Sequence, residues 1–445
     1  MDEAIAAQLL ASIQMDRLVV FCGAGLSMAS PGNLPSARQL ANICFDKYEQ
    51  NTGSRLPDLL HDNLEQIAQY FWDRNDFTKT FIQWLVPWDK LSKDPNGGHY
   101  AIADFLGCGA IEFTLSTNVD YLIESAAKTL GESDFQNSIG NDDIGCAYTK
   151  HKPLLKIHGC YIKDRGNTVW CSSQLQLETI QNRLDKIRQW LLGRLLSKDV
   201  VIIGFWSDWA YLNEILNKCI NTVVPNLVIL VDPLSDAQLE EKAPSLWRWA
   251  RNEGLTFIHI QESGDAFLEC LRKKFSVIFL RKLLDRSKQS YHRHFGTHFS
   301  GNIHIGDNLD VSALYDIRRD VCGTPINEIV RYKNTDDTFE LIGLFHLWLI
   351  SLGAAFDPPF FKYGDKVIRL INAPGVILST IKNRYSNEPI QPKVPDLNVC
   401  VGAVHDYSPA DIVKGDQSAD IIRSGLSGKW ITEKDLPFEL GVQEQ

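Results

Sequence analysis

Short apolar runs of strand length recur along the chain, and several end in glycine or in a small polar residue. The first covers residues 18–22 and passes directly into Gly23, Ala24 and Gly25, with Ser27 two positions further on. Such a run entering a helical pattern is typical of a parallel strand that presents backbone N–H groups to a phosphate. Glycine turns also follow strands in folds that bind no ligand, so this interpretation depends on the later strands.

Four later apolar runs predict further strands of a parallel sheet. They lie within residues 111–122 and over residues 153–157, 200–203 and 227–231. Because α/β sheets bind ligands at the carboxyl ends of their strands, the residues that follow these runs are candidates for a common site. Those residues are Asn118, Asp120, His158, Gly204 and Asp232.

The polar residues at these strand ends also have simpler structural interpretations. Asp120 and Asp232 are of a type common at helix N-termini and could cap the helices that follow. Asp232 could instead accept a hydrogen bond from a ribose hydroxyl. A single histidine at a strand end is usually structural, but His158 shares the predicted edge with other polar strand ends, which makes it a candidate base.

The remaining pattern predicts helices and a second domain. Residues 2–15 read as an amphipathic helix, and residues 37–91 as a helical lobe over the site. The lobe is rich in aromatic residues, which at helical spacing pack in a core more often than they stack on a ligand. A helix over 339–352 and strands over 367–371 and 397–401 predict a separate α+β domain.

Composition limits the class of protein. The 445 residues are 44% hydrophobic, enough for the cores of two domains, and the formal net charge of −10 argues against general binding to nucleic acids or anionic membranes. Ten cysteines include no Cys-x-x-Cys pair, and no signal peptide is evident at Met1. No apolar run approaches the roughly 18 residues of a membrane span. We therefore expect a cytoplasmic protein with reduced cysteines and no membrane segment.

Four motifs, in this order and spacing, resemble the sirtuin family across residues 15–275. They are Gly23-Ala24-Gly25-x-Ser27, Asn118-x-Asp120, Lys156-x-His158-Gly159 and the strand end at Gly204. The resemblance implies an α/β fold with a Rossmann-like parallel sheet and a helical lobe in a catalytic domain over residues 1–275. A basic linker over 276–307 and a C-terminal α+β domain over 308–445 would follow.

Within that family, the chain is more similar to bacterial members that destroy NAD in antiviral defence than to the protein deacylases. The deacylases carry Asp-Phe-Arg after the glycine loop, where this chain has residues 34–38 as Leu-Pro-Ser-Ala-Arg. They also carry a zinc ribbon of two Cys-x-x-Cys pairs, where this chain has only Cys160 and Cys171. Two cysteines cannot complete a four-ligand zinc site, so we expect no zinc.

By this resemblance the protein is an NAD+ hydrolase, with NAD as its substrate. Asn118 would position the ribose and the attacking water, and His158 would accept a proton. Defence-type members often have an aspartate five positions after the strand-end glycine. Here Asp208 lies only four positions after Gly204, so its role stays open. An NAD-dependent deacylase and a non-catalytic nucleotide sensor are the alternatives. The NAD-binding residues implied are Gly23, Ala24, Gly25, Ser27, Asp120, Gly204, Ser207 and Asp232.

The C-terminal domain is expected to regulate the enzyme or to form an oligomer, because an enzyme that drains NAD needs control by a partner or ligand. The basic segment over residues 272–294 is interpreted as a solvated helix face or linker, with contact to a partner or a nucleic acid as the alternative. Four histidines at the end of this segment and just beyond it match no common zinc spacing, so they are not assigned to a metal site. These histidines are His292, His294, His298 and His304.

Overall fold

The computed structural model divides into two compact units, Met1–Leu271 and Arg272–Gln445, which are described separately. The residues that the structure describes are 1–131, 137–138, 153–206, 226–251, 256–301, 305, 309–323, 339–385, 395–405 and 428–442.

A parallel sheet forms the centre of the first unit. In the described residues the strand order is β3-β4-β2-β1-β5-β6-β7, and every pairing is parallel. Strands β1, β5 and β6 are buried along their whole length, as expected for a sheet covered on both faces. The strands are β1 Leu18–Cys22, β2 Thr114–Ser116, β3 Asn137–Ser138, β4 Leu154–Lys156, β5 Asp199–Ile203, β6 Leu227–Val231 and β7 Thr256–Ile260.

Helices surround this sheet and build the lobe. Asp2 caps the first helix by accepting from the backbone N–H of Ala4, and Ser36 and Gln39 form a capping box at the start of the lobe. A π-helix, Phe77–Leu85, lies within the lobe. The α-helices are Glu3–Gln14, Ala24–Ser27, Ala37–Thr52, Leu64–Trp72, Gly97–Gly107, Leu122–Thr129, Glu178–Leu192, Asp236–Lys242 and Pro244–Ala250, and Gly264–Phe295 begins in this unit.

The second unit has its own sheet and core. Its strand order in the described residues is β12-β11-β10-β9-β8, with β10, β11 and β12 parallel and β8 and β9 antiparallel. The predicted fold class, a parallel α/β sheet with a helical lobe followed by an α+β domain, is confirmed. The strands are β8 Ala355–Asp357, β9 Phe360–Tyr363, β10 Lys366–Asn372, β11 Leu397–Val401 and β12 Lys429–Thr432, and the helices are Val311–Cys322, Glu340–Ser351, Leu378–Tyr385 and Leu436–Leu440.

The strands predicted from the sequence are present, but some of their ends differ from the predicted bounds. Strands β1, β6 and β11 have the predicted bounds, whereas β4 is one residue shorter at each end than the predicted 153–157. The prediction did not include strands β3, β7, β8, β9 and β12. Among the described residues, no helix is long and apolar enough to cross a bilayer.

Candidate active site

The glycine turn after β1 is shaped by the neighbouring strand β5. A Cβ atom on Gly25 would lie 2.6 Å from the Cα of Gly204, and one on Gly23 would lie 2.5 Å from the Gly204 carbonyl oxygen. The Gly25 N–H donates to that carbonyl at 3.1 Å. Gly204 itself has a φ of 58°, which favours glycine. These three glycines therefore allow two backbones to meet, and the helix Ala24–Ser27 begins at this contact.

Ser27 is the centre of a buried hydrogen-bond network. Its hydroxyl donates to Asp120 Oδ2 at 2.8 Å and accepts from Asn118 Nδ2 at 3.0 Å. Asn118 Nδ2 also donates to the Gly23 carbonyl at 3.2 Å. The strand end after β2 is thus bound directly to the glycine turn after β1.

His99 joins this network, although the sequence analysis did not identify it. Its Nε2 lies 3.1 Å from Ser27 Oγ, while its Nδ1 accepts from the backbone N–H of Asn96 at 3.1 Å. Since Nδ1 accepts, the neutral ring carries its proton on Nε2 and donates to Ser27. Burial lowers the pKa of His99 to about 4, so the ring is neutral at pH 7. The only hint in the sequence is the capping box that Asn96 and His99 form at the start of the helix Gly97–Gly107.

His158 lies just beyond β4 and is 3% exposed. Its pKa is lowered to about 3, chiefly by burial and also by the nearby Arg183 guanidinium, while a hydrogen bond to the Thr117 backbone acts in the opposite direction. The ring is therefore neutral at pH 7. Its own carbonyl accepts from the Val169 N–H at 3.0 Å, which anchors the segment that forms one wall of the site.

A cavity of about 810 Å³ lies over these strand ends, a volume suited to a dinucleotide-sized ligand. Five of the predicted site residues line it: Ala24, Ser27, Asn118, Asp120 and His158. The lobe and the segment after β4 supply the other walls. Lining residues that the sequence analysis did not assign to the site include Asn63, Glu65, Thr117, Val169, Trp170 and Gln176.

The other predicted residues lie elsewhere or outside the described residues. Gly23, Gly25 and Gly204 shape the turn and are not among the cavity-lining residues. Asp232 is also absent from the lining, and its Oδ1 accepts from the Leu234 N–H at 3.0 Å. It orders this turn but does not cap the helix Asp236–Lys242, whose N-cap is Ser235. Ser207 and Asp208 lie outside the described residues.

Asp120 orders the start of the next helix and also lines the cavity. Its Oδ1 accepts from the Leu122 N–H at 3.1 Å at the start of the helix Leu122–Thr129, and its Oδ2 accepts from Ser27. The carboxylate therefore orders the local turn and also faces the cavity.

The lobe aromatics pack mainly against one another. Phe71, Phe77 and Phe81 are buried in the lobe core, and Trp170 contacts Phe81 edge to face at the cavity wall. His292 and His298 stack with ring centroids 4.0 Å apart, and His304 lies outside the described residues. Within the described residues, no group of three potential metal ligands occurs. Cys160 and Cys171 are free and buried.

The parallel sheet, the glycine turn and the cavity over the strand ends define an α/β domain with a candidate ligand site. Residues 112–258 match the family described as the SIR2-like domain. This match confirms the predicted resemblance to the sirtuin family.

The chain is 25% identical over 217 residues to the NAD(+) hydrolase ThsA of Cytobacillus dafuensis. The match covers 48% of this chain and 40% of that protein, so the chain spans about two fifths of its relative's length.

Solved sirtuin structures overlap the chain only loosely. A Sir2 homologue in complex with NAD is 15% identical, with a TM-score of 0.35 over 61% of this chain and 92% of that one. Sir2 bound to an acetylated peptide is 12% identical, with a TM-score of 0.34 over 62% of this chain and 98% of that one. Overlaps this loose transfer no site feature to the present chain.

Proposed function

We propose that the protein is an NAD+ hydrolase that cleaves the bond between nicotinamide and ribose to give nicotinamide and ADP-ribose. The observation that carries the proposal is the convergence of Ser27, Asn118, Asp120 and His158 on one cavity of about 810 Å³. The SIR2-like domain and the similarity to a named NAD(+) hydrolase support the same activity.

The reaction needs a fixed substrate and a nucleophile beside the sugar. Loss of nicotinamide leaves positive charge on the ribose, so a water molecule placed at C1′ forms the new C–O bond as the C–N bond breaks, and one proton is released. In this proposal the first turn of the helix Ala24–Ser27, where Ala24 lines the cavity, faces the pyrophosphate. Asp120 binds the nicotinamide carboxamide, as the resemblance implies.

Asn118 and His158 carry the chemistry. Asn118 is anchored through Nδ2 to Gly23 and Ser27, which holds its amide in place beside the sugar and the water. The neutral His158 ring retains a lone pair at pH 7 and accepts the proton as the charge on the sugar makes the water or ribose hydroxyl more acidic.

The activity is tested with the purified full chain, NAD, and NAD with an acetylated peptide, followed by chromatography of the products. A hydrolase releases nicotinamide and ADP-ribose without peptide, whereas a deacylase requires the peptide and a nucleotide sensor consumes no NAD.

We expect His158→Ala and Asn118→Ala each to reduce turnover by about 10²- to 10⁴-fold. His294→Ala, which changes an exposed ring, serves as the matched control and should retain parental activity. Parental turnover in either site variant would remove that residue from the mechanism.

The proposal extends to a biological role as a cytoplasmic effector of antiphage defence that depletes NAD when triggered. It rests on the similarity to NAD-destroying sirtuin-like proteins and on the toxicity of unrestrained NAD cleavage. The second unit would then provide control, through a homo-oligomer, an activating partner or a ligand. Measuring NAD in bacteria that express the parent or His158→Ala during phage infection tests this role, because depletion should require the intact site.

A further inference from the structure

A buried ion pair lies beneath the cavity and is not part of its lining. Lys156, the last residue of β4, is 2% exposed, and Glu124, in the first turn of the helix Leu122–Thr129, is 5% exposed. Lys156 Nζ lies 3.0 Å from Glu124 Oε1 and also donates to the backbone carbonyl of Asp120. Neither side chain is among the residues that line the described cavity.

The contacts of Lys156 join two parts of the site. The backbone register between β2 and β4 runs from Thr114 paired with Leu154 to Ser116 paired with Lys156. Asn118 and Asp120 follow one strand and His158 follows the other, beyond the end of this register. The ammonium group at the end of β4 reaches across to the Asp120 turn and the helix after it. It adds a side-chain link to the backbone bond between the Tyr161 N–H and the Val119 carbonyl, which joins the same two segments at 2.9 Å.

Stability alone does not account for a charged pair at this position. A well-packed apolar pair of similar volume is often as stable as a buried ion pair, or more so. An ammonium group offers three N–H donors, and here two of its contacts hold a carbonyl and a carboxylate at the same time. An apolar pair would fill the space but would hold neither group.

We propose that Lys156, paired with Glu124, is a positioning residue that sets the placement of Asp120 relative to His158. Asp120 is bound on its other side to Ser27, so a displacement of this turn also shifts the serine that Asn118 contacts. Substrate placement in the cavity then depends on a side chain that never touches substrate. For its turnover readout, this inference rests on the proposed NAD+ hydrolase activity.

The decisive variant removes both charges together, as Lys156→Met with Glu124→Leu, so that no unpaired buried charge remains. The matched control is Arg194→Met with Glu112→Leu. It removes an ion pair, with Arg194 Nη1 3.2 Å from Glu112 Oε1, on the N-terminal side of β2. We expect the Lys156→Met/Glu124→Leu protein, called the site variant below, to keep its melting temperature within a few degrees of the parent. Its kcat for NAD should fall about 10- to 100-fold. The control should retain kcat within about twofold of the parent.

A second readout follows His158 directly. Histidine NMR titration, with the ring assigned through His158→Gln, should show the His158 pKa rising toward its ordinary value in the site variant as the loosened turn admits water. A site variant that keeps both kcat and the His158 titration of the parent overturns the proposal.

Two further outcomes also decide the question. If the parent chain does not cleave NAD, the proposed function fails, and calorimetric binding of ADP-ribose becomes the readout. Binding weakened about tenfold in the site variant supports positioning, and unchanged binding overturns it. If the double variant does not fold, Lys156→Arg replaces it, since it keeps the charge but moves the donors. A folded Lys156→Arg protein with parental kcat overturns the proposal, and a loss of several-fold supports it.

Discussion

At the residue scale, the Ser27 hydroxyl shows how densely the candidate site is connected. It accepts from His99 and Asn118 and donates to Asp120, so one oxygen uses its donor and two acceptor positions. These partners come from two separate parts of the chain, the helix Gly97–Gly107 and the segment after β2. The orientation of the polar cavity floor therefore depends on a single small side chain.

Replacing this hydroxyl tests that dependence. Ser27→Ala leaves His99, Asn118 and Asp120 each without one buried hydrogen bond, and we expect the free energy of unfolding to fall by about 1–3 kcal/mol. Denaturant unfolding measures the change. The exposed Ser54→Ala serves as control and should change stability by less than about 0.5 kcal/mol. A Ser27→Ala protein as stable as the control would contradict the network.

The buried histidines predict how stability depends on pH. The pKa values of His158 and His99 are lowered to about 3 and about 4 by burial, whereas unfolded histidine titrates near 6.5. As the pH falls below about 6.5, the unfolded chain gains protons that the folded chain does not accept, so stability is lost with decreasing pH. Each such ring contributes a slope of about 1.4 kcal/mol per pH unit between its two pKa values.

Urea unfolding between pH 7 and pH 5 measures this slope. His158→Gln should make it shallower by the contribution of one proton, and the exposed His294→Gln should leave it unchanged. Equal slopes in the parent and His158→Gln would show that the ring is accessible to protons in the folded state.

At the element scale, the contact between the β1 turn and the end of β5 is too close for any side chain. Gly25→Ala would place a Cβ atom 2.6 Å from Gly204 Cα, and backbone on both sides must move apart. We expect a loss of about 1–3 kcal/mol and a weaker affinity for ADP-ribose, because the helix Ala24–Ser27 shifts with the turn.

Thermal unfolding and calorimetric binding measure these two effects. Gly166→Ala is the matched control, since a Cβ atom added at Gly166 would have no atom within 4 Å beyond its chain neighbours. If Gly25→Ala matches Gly166→Ala in both measurements, the close approach does not shape the site.

The strand ends were predictable from sequence because their chemistry is local. An apolar run followed by Asn118 and Asp120, or by His158, marks a buried strand and its polar end without knowledge of the rest of the chain. His99 was not predictable in this way, since it follows a glycine pair in a helix cap and meets Ser27 only through the tertiary fold. Asp232 shows the opposite error, because it was predicted for the site but does not line the cavity. A carboxylate at a strand end serves equally well to order a turn.

At the scale of the whole molecule, the two units have separate cores and separate sheets. In the second unit, Asp320 accepts from Arg369 Nε at 2.7 Å and from Nη2 at 2.9 Å, and Tyr385 donates to the same carboxylate at 3.2 Å. The pair is nearly fully buried. The sequence predicted the α+β class of this unit from strand and helix periods, but a pairing across 49 positions has no local signature.

Breaking that pair should act on the second unit. Asp320→Ala removes a bidentate carboxylate from the buried Arg369 guanidinium, and we expect the second unit to lose about 3–5 kcal/mol. Differential scanning calorimetry should show the transition of the second unit shifted down and the transition of the first unit unchanged. A conservative Asp320→Asn variant, which keeps the volume, separates the loss of charge from the loss of packing. Parental melting of Asp320→Ala would mean that the pair contributes no net stability.

The free thiol of Cys171 is buried in the cavity wall, and burial raises its pKa to about 11. A small alkylating reagent can modify it only when that wall separates from the lobe, because a protonated and covered sulfur reacts slowly. The alkylation rate of Cys171 therefore reports how often the cavity wall opens. Mass spectrometry can measure this rate with and without nucleotide.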